Sequence, residues 1–208
     1  MSDRPITDTL IPEWARWAAL IWLVVWLPTY SYIWSPTTFL FLCDVGLVLA
    51  CVGIIMQNAL LMSSQAVSSL VVGLAWLIDI SWTLIFGKHL IGGTEYFFDS
   101  HYPLIVRLMS IYHVALPLIL LLLLRRTGYD PRAFRLQSAI AVACLIAARI
   151  ISPAQNINYD LADPFFRRTW GPAPVHFLVI LAFLIFAIYL PTHLVLLQIF
   201  RRPQSVRA

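Results

Sequence analysis

Cys43 is the residue best suited to covalent chemistry in this chain, because a thiol becomes a nucleophile when a nearby imidazole takes its proton. Two histidines, His101 and His113, are predicted to lie in the same half of a membrane as this cysteine. The thiol would attack an acyl ester, and the histidine would act first as base and then as acid. Cys51 and Cys144 lie in apolar segments and are typical of small buried hydrophobic side chains.

Four charged residues interrupt the apolar stretches in the same region: Asp44, Asp79, Arg107 and Arg149. Ionisable groups inside a membrane are costly and by default mark a functional site. Two carboxylates balance two guanidinium groups, so this Asp/Arg quartet either forms buried ion pairs that fix helix register or orients a reactive site. Arg107 or Arg149 would also be suited to holding a lipid phosphate.

A metal site is a further reading of this region, since His101, His113, Asp44 and Asp79 are all usual metal-ligand types. The spacings H-x-x-x-H and H-E-x-x-H, which place two ligands on one helix face, do not occur in the chain. We therefore expect no metal and no other cofactor.

Asn156 and Asn158 follow Pro153 in a polar segment near the end of an apolar run. Their amide groups would serve as hydrogen-bond donors to an oxyanion or a lipid headgroup. The alternative is ordinary turn chemistry, which asparagine also favours. Both readings stay open at this point.

The composition indicates an integral membrane protein. The chain has 208 residues, of which 61% are hydrophobic and 12% are charged, whereas soluble domains carry about 25% charged residues. The apolar runs are long and show no strand-like alternation, so the predicted fold class is all-α, a single polytopic bundle over residues 1–208. The net charge of +4 is interpreted as a topology signal and not as a nucleic-acid interface.

Breaks in the apolar runs predict six transmembrane helices, over residues 14–34, 37–62, 66–87, 102–125, 134–154 and 172–200. Six spans place both termini on one side, which would carry nine basic residues against three on the other. The positive-inside rule then predicts cytoplasmic termini in a bacterial inner membrane. Nearly all the polar residues above would lie in the outer half of the bilayer.

Three segments resemble the YwaF family of integral membrane proteins: Phe41-Leu42-Cys43-Asp44, Tyr96-Phe97-Phe98-Asp99-Ser100-His101, and Asn156-Ile157-Asn158-Tyr159 before Trp170-Gly171-Pro172-x-Pro174. The resemblance implies about six helices over most of the chain. Animal relatives of that family include an acyltransferase for ether phospholipids with a proposed cysteine–histidine pair, which implies Cys43 and His101 here. The family usually has a histidine two residues before the cysteine, where this chain has Phe41.

Two other segments are similar to the androgen-induced membrane threonine hydrolases, which cleave fatty-acid esters: Thr37-Thr38-Phe39-Leu40 and Tyr112-His113-Val114-Ala115-Leu116-Pro117-Leu118-Ile119-Leu120. This similarity implies Thr38, or Thr37, as the nucleophile and His113 as its partner. The asparagine–histidine pair that precedes this histidine in that family is absent from the chain.

The leading expectation is an acyltransferase or ester hydrolase whose substrate is a membrane lipid or acyl ester. One alternative is a carrier or binding protein that holds a lipid or small amphiphile in the same pocket without covalent chemistry. The other is a membrane scaffold in which the quartet only sets helix register. Hydrogen-bond geometry separates them: a thiol or threonine that meets an imidazole favours an enzyme, and closed Asp–Arg pairs favour a scaffold.

Overall fold

The computed structural model describes residues 11–200, and within that range the chain forms helices, turns and loops without a β-strand. The predicted all-α class is confirmed. The α-helices are α1 (Glu13–Ile33), α2 (Leu42–Ile55), α3 (Ala59–Phe86), α4 (Glu95–Phe98), α5 (Leu104–Met109), α6 (Tyr112–Thr127), α7 (Ala133–Ile151), α8 (Ala173–Ala182) and α9 (Leu190–Ile199).

Four helical stretches are long and apolar enough to cross a membrane: Ala59–Phe86, Leu104–Thr127, Ala133–Ile151 and Ala173–Ile199. The helix Leu42–Ile55 is apolar but shorter. Large apolar side chains cover the outside of these helices, with Ile150 at 74% exposed and Leu84 at 71%. Such a surface suits lipid and not water, so the four helices indicate a membrane protein.

The boundary predicted between the second and third spans is wrong by about two helical turns. The sequence placed the break at residues 63–65, but these polar side chains are buried within α3. The turn lies instead at Gln57, whose φ is 53°, and at Asn58, whose side chain caps α3 by accepting from the Leu61 amide at 3.0 Å. Ser64 tolerates the helix interior because its hydroxyl donates to the Leu61 carbonyl at 2.8 Å.

Pro117 brings α6 into close contact with α3. A proline has no N–H, so the carbonyl of His113, four residues earlier, loses its donor within the helix. Gly73 of α3 lies against that carbonyl, and a Cβ atom at this position would sit 2.2 Å from the oxygen. The glycine therefore permits an approach in which its Cα–H group faces the freed oxygen.

Pro191 accounts for an irregular turn in the last membrane helix. The segment Phe183–Tyr189 between α8 and α9 is π-helical, and Pro191 cannot donate to the carbonyl four residues before it. The chain absorbs this loss by widening the turn that precedes the proline. The widened turn directs Tyr189 inward, where it is 1% exposed and its hydroxyl accepts from the Gln137 amide at 3.5 Å.

Three connections meet at one end of the bundle, here named the loop end: residues 34–41, 87–103 and 152–172. Thr37 donates to Gln155 across this end at 2.9 Å. The turns after α2 and α6 lie at the opposite end, where the Asp130 amide donates to the Ser63 hydroxyl at 3.0 Å. Most of the residues singled out from the sequence belong to the loop end.

Replacing Gly73 with alanine is expected to lower the free energy of unfolding by about 1–3 kcal/mol, because the new methyl group collides with the α6 backbone. The measurement is thermal unfolding in detergent, followed by far-ultraviolet circular dichroism. Leu74→Ala is the matched control, since Leu74 is 56% exposed on the same helix. Equal melting temperatures for Gly73→Ala and the wild type would contradict the close contact.

Candidate functional site

Asp44 is a buried carboxylate with little to compensate it. Its side chain is 4% exposed in the first turn of α2, where the helix dipole favours a negative charge. Oδ1 accepts a hydrogen bond from the Tyr112 hydroxyl at 2.7 Å. Within residues 11–200, Oδ2 has no hydrogen bond and no arginine, lysine or histidine pairs with this carboxylate. An unpaired carboxyl in such a place is costly.

Polar and aromatic side chains from neighbouring helices surround this carboxylate. The Tyr30 hydroxyl hydrogen-bonds to the Ser110 hydroxyl at 2.8 Å, and the Trp76 indole donates to the Tyr96 hydroxyl at 3.2 Å. Cys43 precedes Asp44 in the first turn of α2. We name this group the Asp44 cluster: Tyr30, Cys43, Asp44, Trp76, Tyr96, Ser110 and Tyr112.

Stacked rings extend the Asp44 cluster into a continuous aromatic wall. The Tyr112 ring lies 6.0 Å from the Trp26 ring, which packs 4.4 Å from Tyr30. On its other side Tyr112 stacks on His113 at 4.2 Å, and His113 stacks on Trp76 at 5.3 Å with the two planes 6° apart. Asp44 joins this wall through the hydrogen bond from Tyr112.

Asn158 fixes the start of the helix that carries Asp44. Its carbonyl oxygen accepts from the Leu42 amide and its nitrogen donates to the Leu40 carbonyl, each at 2.8 Å. The residue adopts a left-handed conformation with φ of 55°, which asparagine tolerates better than most residues. Both polar atoms are therefore used in positioning α2, and a part for Asn158 in binding a headgroup stays a prediction.

Asn156 has a similar architectural part within the 152–172 loop. Its Oδ1 accepts from the amides of Leu161 and Ala162 at 2.8 and 3.0 Å. Its Nδ2 donates to the Ala162 carbonyl at 2.9 Å. The turn interpretation of this asparagine describes these contacts, and the oxyanion or headgroup contact stays a prediction.

The two candidate histidines hydrogen-bond to groups other than Cys43. The His101 side chain is 91% exposed, and its Nδ1 lies 2.6 Å from Asp99 Oδ1. The His101 amide and ring hold the pKa of the Asp99 carboxyl below its ordinary value. The His113 ring donates from Nδ1 to the Ser110 carbonyl at 2.8 Å. No hydrogen bond joins Cys43 to an imidazole among the described residues.

Thr38 and His113 are also not paired. Thr38 is half-buried in the 3-10 turn Pro36–Leu40, and no side-chain hydrogen bond links it to His113 within the described range. The neighbouring Thr37 donates its hydroxyl to Ser35 and Gln155, both at 2.9 Å. The threonine that the second resemblance favours therefore lacks its base in this conformation.

Asp79 organises a loop instead of pairing with an arginine. Its Oδ1 accepts from the amides of Leu90, Ile91 and Gly92 at 2.8, 2.6 and 3.3 Å. Its Oδ2 accepts from the Thr94 hydroxyl and lies 3.3 Å from His89 Nδ1. Asp79 thus forms no ion pair with an arginine among the described residues, because backbone amides of the 88–94 segment supply what an arginine would have supplied.

The two arginines of the quartet are likewise used at the loop end. Arg149 holds Asp160 with both Nε and a terminal nitrogen, at 2.9 and 2.8 Å, and donates to the Ala173 carbonyl at 2.9 Å. Arg107 donates to the Phe97 carbonyl at 3.2 Å, and its Nε is buried without a partner among the described residues. Neither arginine reaches Asp44 or Asp79, so the balanced quartet does not assemble.

Several residues that form hydrogen bonds or ion pairs in this region were not among the site residues predicted from the sequence. His176 is 1% exposed; it accepts from the Trp170 amide at 3.1 Å and donates to the Tyr159 carbonyl at 3.0 Å. Asp160 neutralises Arg149, and Tyr112 is the donor to Asp44. A tyrosine directly before His113 in an apolar run was the available signal for Tyr112, but nothing in its spacing linked it to α2.

Within residues 11–200, no group of three His, Cys, Asp or Glu side chains is gathered closely enough to hold a metal ion.

Comparison of the chain with family models, curated proteins and solved structures finds no significant match. The resemblances drawn from short motifs therefore stay predictions, and function is argued from the contacts of the Asp44 cluster.

Replacing Asp79 with alanine is expected to free the 88–94 segment, because three amides lose their common acceptor. Hydrogen exchange at residues 90–92 should quicken by at least about tenfold, as expected for the loss of hydrogen bonds to a charged group. Asp130→Ala removes a carboxylate at the opposite end and serves as control. Unchanged exchange at residues 90–92 in Asp79→Ala would refute the capping contact.

Proposed function

We propose that this membrane protein binds a lipid or other small amphiphile at the Asp44 cluster without covalent chemistry, and acts as its carrier or binding protein. The observation that carries the proposal is Asp44 itself, which is 4% exposed and hydrogen-bonded only to Tyr112 among the described residues. A buried carboxylate left in this state costs free energy that the fold alone does not recover. A ligand that meets the free oxygen would offset that cost.

A purely architectural role explains the other polar residues better than it explains Asp44. Asp79, Arg149 and Asn158 each fill their hydrogen-bonding capacity with loop or helix-end groups. Asp44 anchors no loop and closes no ion pair in residues 11–200. An asparagine or a leucine would set helix register at lower cost, so a carboxylate at this position favours ligand binding over a scaffold.

Acyl transfer is a second candidate, and one contact favours it. The Tyr112 hydroxyl donates to Asp44, the residue directly after Cys43 in the first turn of α2. In that reading Tyr112 takes the thiol proton as its own proton passes to Asp44, in place of an imidazole. The sulfur forms a thioester with the acyl carbon, the C–O bond of the ester breaks, and the relayed proton goes to the departing alcohol oxygen. The YwaF-type resemblance is the family background for this candidate, with Cys43 as the nucleophile.

We also propose six membrane spans, with α1 and α2 completing the four longer helices. The chain alternates between the two ends of the bundle six times, and α1 has 21 residues. Five basic residues lie toward the end opposite the loop end, and they support cytoplasmic termini in a bacterial inner membrane: Arg16, Arg125, Arg126, Arg132 and Arg135. The Asp44 cluster would then open toward the outer leaflet.

Purification of the wild type in a mild detergent is expected to retain a small amphiphile, detected by native mass spectrometry. Asp44→Asn should reduce this retention by at least about tenfold, because the amide keeps the size of the side chain but not its charge. Asp99→Asn is the matched control, since it removes an exposed carboxylate outside the cluster. A wild type that carries no amphiphile, or an Asp44→Asn protein that carries as much, would contradict the proposal.

Acyl transfer predicts a covalent intermediate that binding does not. Incubation with an activated fatty-acyl ester should add one acyl mass to the intact protein, and Cys43→Ala should remove the added mass. Cys51→Ala is the control, because Cys51 is buried and lies outside the Asp44 cluster. An unmodified wild-type protein, or equal modification of Cys43→Ala, would exclude Cys43 as the nucleophile.

A further inference from the structure

We infer that a groove between α7 and α8 holds one acyl chain of an ester-linked membrane lipid, with the ester carbonyl hydrogen-bonded to Arg149. The groove has a volume of about 380 Å³, which lies in the range of small-molecule sites. No residue of the Asp44 cluster lines it, so the inference goes beyond the proposed function and does not rest on it. Six residues line the groove: Ile146, Arg149, Ile150, Pro174, Phe177 and Leu178.

The groove opens on the lipid-facing side of the bundle. Five of its six lining residues are apolar, and Ile146, Ile150 and Leu178 among them are exposed. Both α7 and α8 belong to helical stretches long and apolar enough to cross a membrane. Exposed apolar side chains on such helices suit contact with lipid. A lipid chain therefore reaches the groove directly from the bilayer, without passing through the protein.

The groove runs in the direction of a lipid chain. Both α7, which ends at Ile151, and α8, which begins at Ala173, meet the loop end. At 1.5 Å per residue, Arg149 lies about 3 Å along the axis from the end of α7, and Ile146 lies about 7 Å from it. The polar residue of the groove is thus near the helix ends, and the apolar residues continue into the membrane helices.

Arg149 has one N–H group left to donate. Its Nε and one terminal nitrogen donate to the Asp160 carboxylate at 2.9 and 2.8 Å, and the same terminal nitrogen donates to the Asp160 carbonyl at 2.9 Å. The other terminal nitrogen donates to the Ala173 carbonyl at 2.9 Å. A guanidinium group carries five N–H groups. One N–H of that second terminal nitrogen therefore has no acceptor among the described residues.

Two contacts hold the guanidinium group at the groove. Its central carbon lies 5.5 Å from the centre of the Phe177 ring, which lines the groove. The residue that accepts from the second terminal nitrogen, Ala173, directly precedes Pro174 of the groove. The remaining donor is thus available at the polar end, where the ester of a bound chain would lie.

Charge favours an ester over an anionic group at this donor. Asp160 is buried and pairs with Arg149, so the two side chains are neutral together. A phosphate or a fatty-acid carboxylate would be attracted by the arginine and repelled by the aspartate. An ester carbonyl needs one N–H and no compensating charge. Near the hydrocarbon region that hydrogen bond has little competition from water.

The test compares two lipids on the whole protein in dodecyl maltoside micelles, a detergent without an ester. One probe is phosphatidylglycerol with two ester-linked chains, and the other is its diether analogue, which has the same headgroup and chain length but no carbonyl. Native mass spectrometry measures the retention of each lipid at equal concentration. Leu178→Trp fills the groove with a larger side chain. Leu84→Trp is the matched control, at an exposed position near the loop end of α3.

We expect the wild type to retain the diester lipid at least about fivefold better than the diether lipid, because only the ester accepts from the arginine. Leu178→Trp should lower retention of the diester lipid by at least about tenfold, and Leu84→Trp should leave it unchanged. Equal retention of the two lipids by the wild type would overturn the inference. Undiminished retention by Leu178→Trp would overturn it as well.

A photoreactive diester phosphatidylglycerol, with a diazirine near the ester end of one chain, locates the bound lipid on the wild type alone. Peptides that contain Ile146 or Leu178 should carry more label than the peptide that contains Leu84. Label spread evenly over these peptides would overturn the inference, whether or not Leu178→Trp folds. Retention of an amphiphile that depends on Asp44, without an ester preference, would keep the proposed function and reject the groove.

Discussion

The rest of the structure depends on hydrogen bonds at the loop end, where side chains pair with backbone N–H and C=O groups. A protein embedded in lipid has no water with which to complete hydrogen bonds, so irregular backbone near a membrane must find partners within the protein. Asp79 accepts from three consecutive amides, Asn158 ties the start of α2, and His176 bridges Trp170 to Tyr159. These contacts fix where each membrane helix begins or ends, and through α2 they fix Asp44.

The Asp44 side chain differs from those residues because one of its two oxygens has no hydrogen-bond partner among the described residues. The polar groups of the loop end close on neighbours in the chain, whereas the Asp44 carboxylate accepts from a single neutral hydroxyl. The surroundings of Asp44 are well packed: aromatic rings lie beside Tyr112, and Asn158 holds the start of α2. The carboxylate therefore has little freedom to move toward another donor. An incomplete acid inside a well-satisfied frame is the pattern expected of a binding site and not of a packing defect.

The membrane character and the all-helical class could be predicted because composition and run length determine them directly. Helix boundaries could not be predicted at residues 63–65, since serine hydroxyls can bond within their own helix and so do not end it. The sequence indicated a polar region but left its internal pairing open. Charge balance allowed ion pairs within the Asp/Arg quartet, whereas Arg149 pairs with Asp160, which lies in a loop eleven positions later. Charge balance depends only on the number of charged residues of each sign. Which of them pair depends on how the loops fold, and loop folding cannot be read from a single sequence.

The contact between Gly73 and the His113 carbonyl determines how α6 is placed against α3. Because α6 is seated on the α3 backbone immediately after Tyr112, α6 cannot rotate about its own axis without driving an oxygen into α3. The chain just before it is different: Ser110 and Ile111 interrupt the helix between α5 and α6 with short i→i−3 hydrogen bonds of 3.1 Å. The position of α6 on α3 is thus fixed from Tyr112 onward, whereas the hydrogen-bond pattern changes at Ser110, two residues earlier. Because Tyr112 is the donor to Asp44, the same contact that places α6 on α3 also sets where this hydroxyl meets the carboxylate.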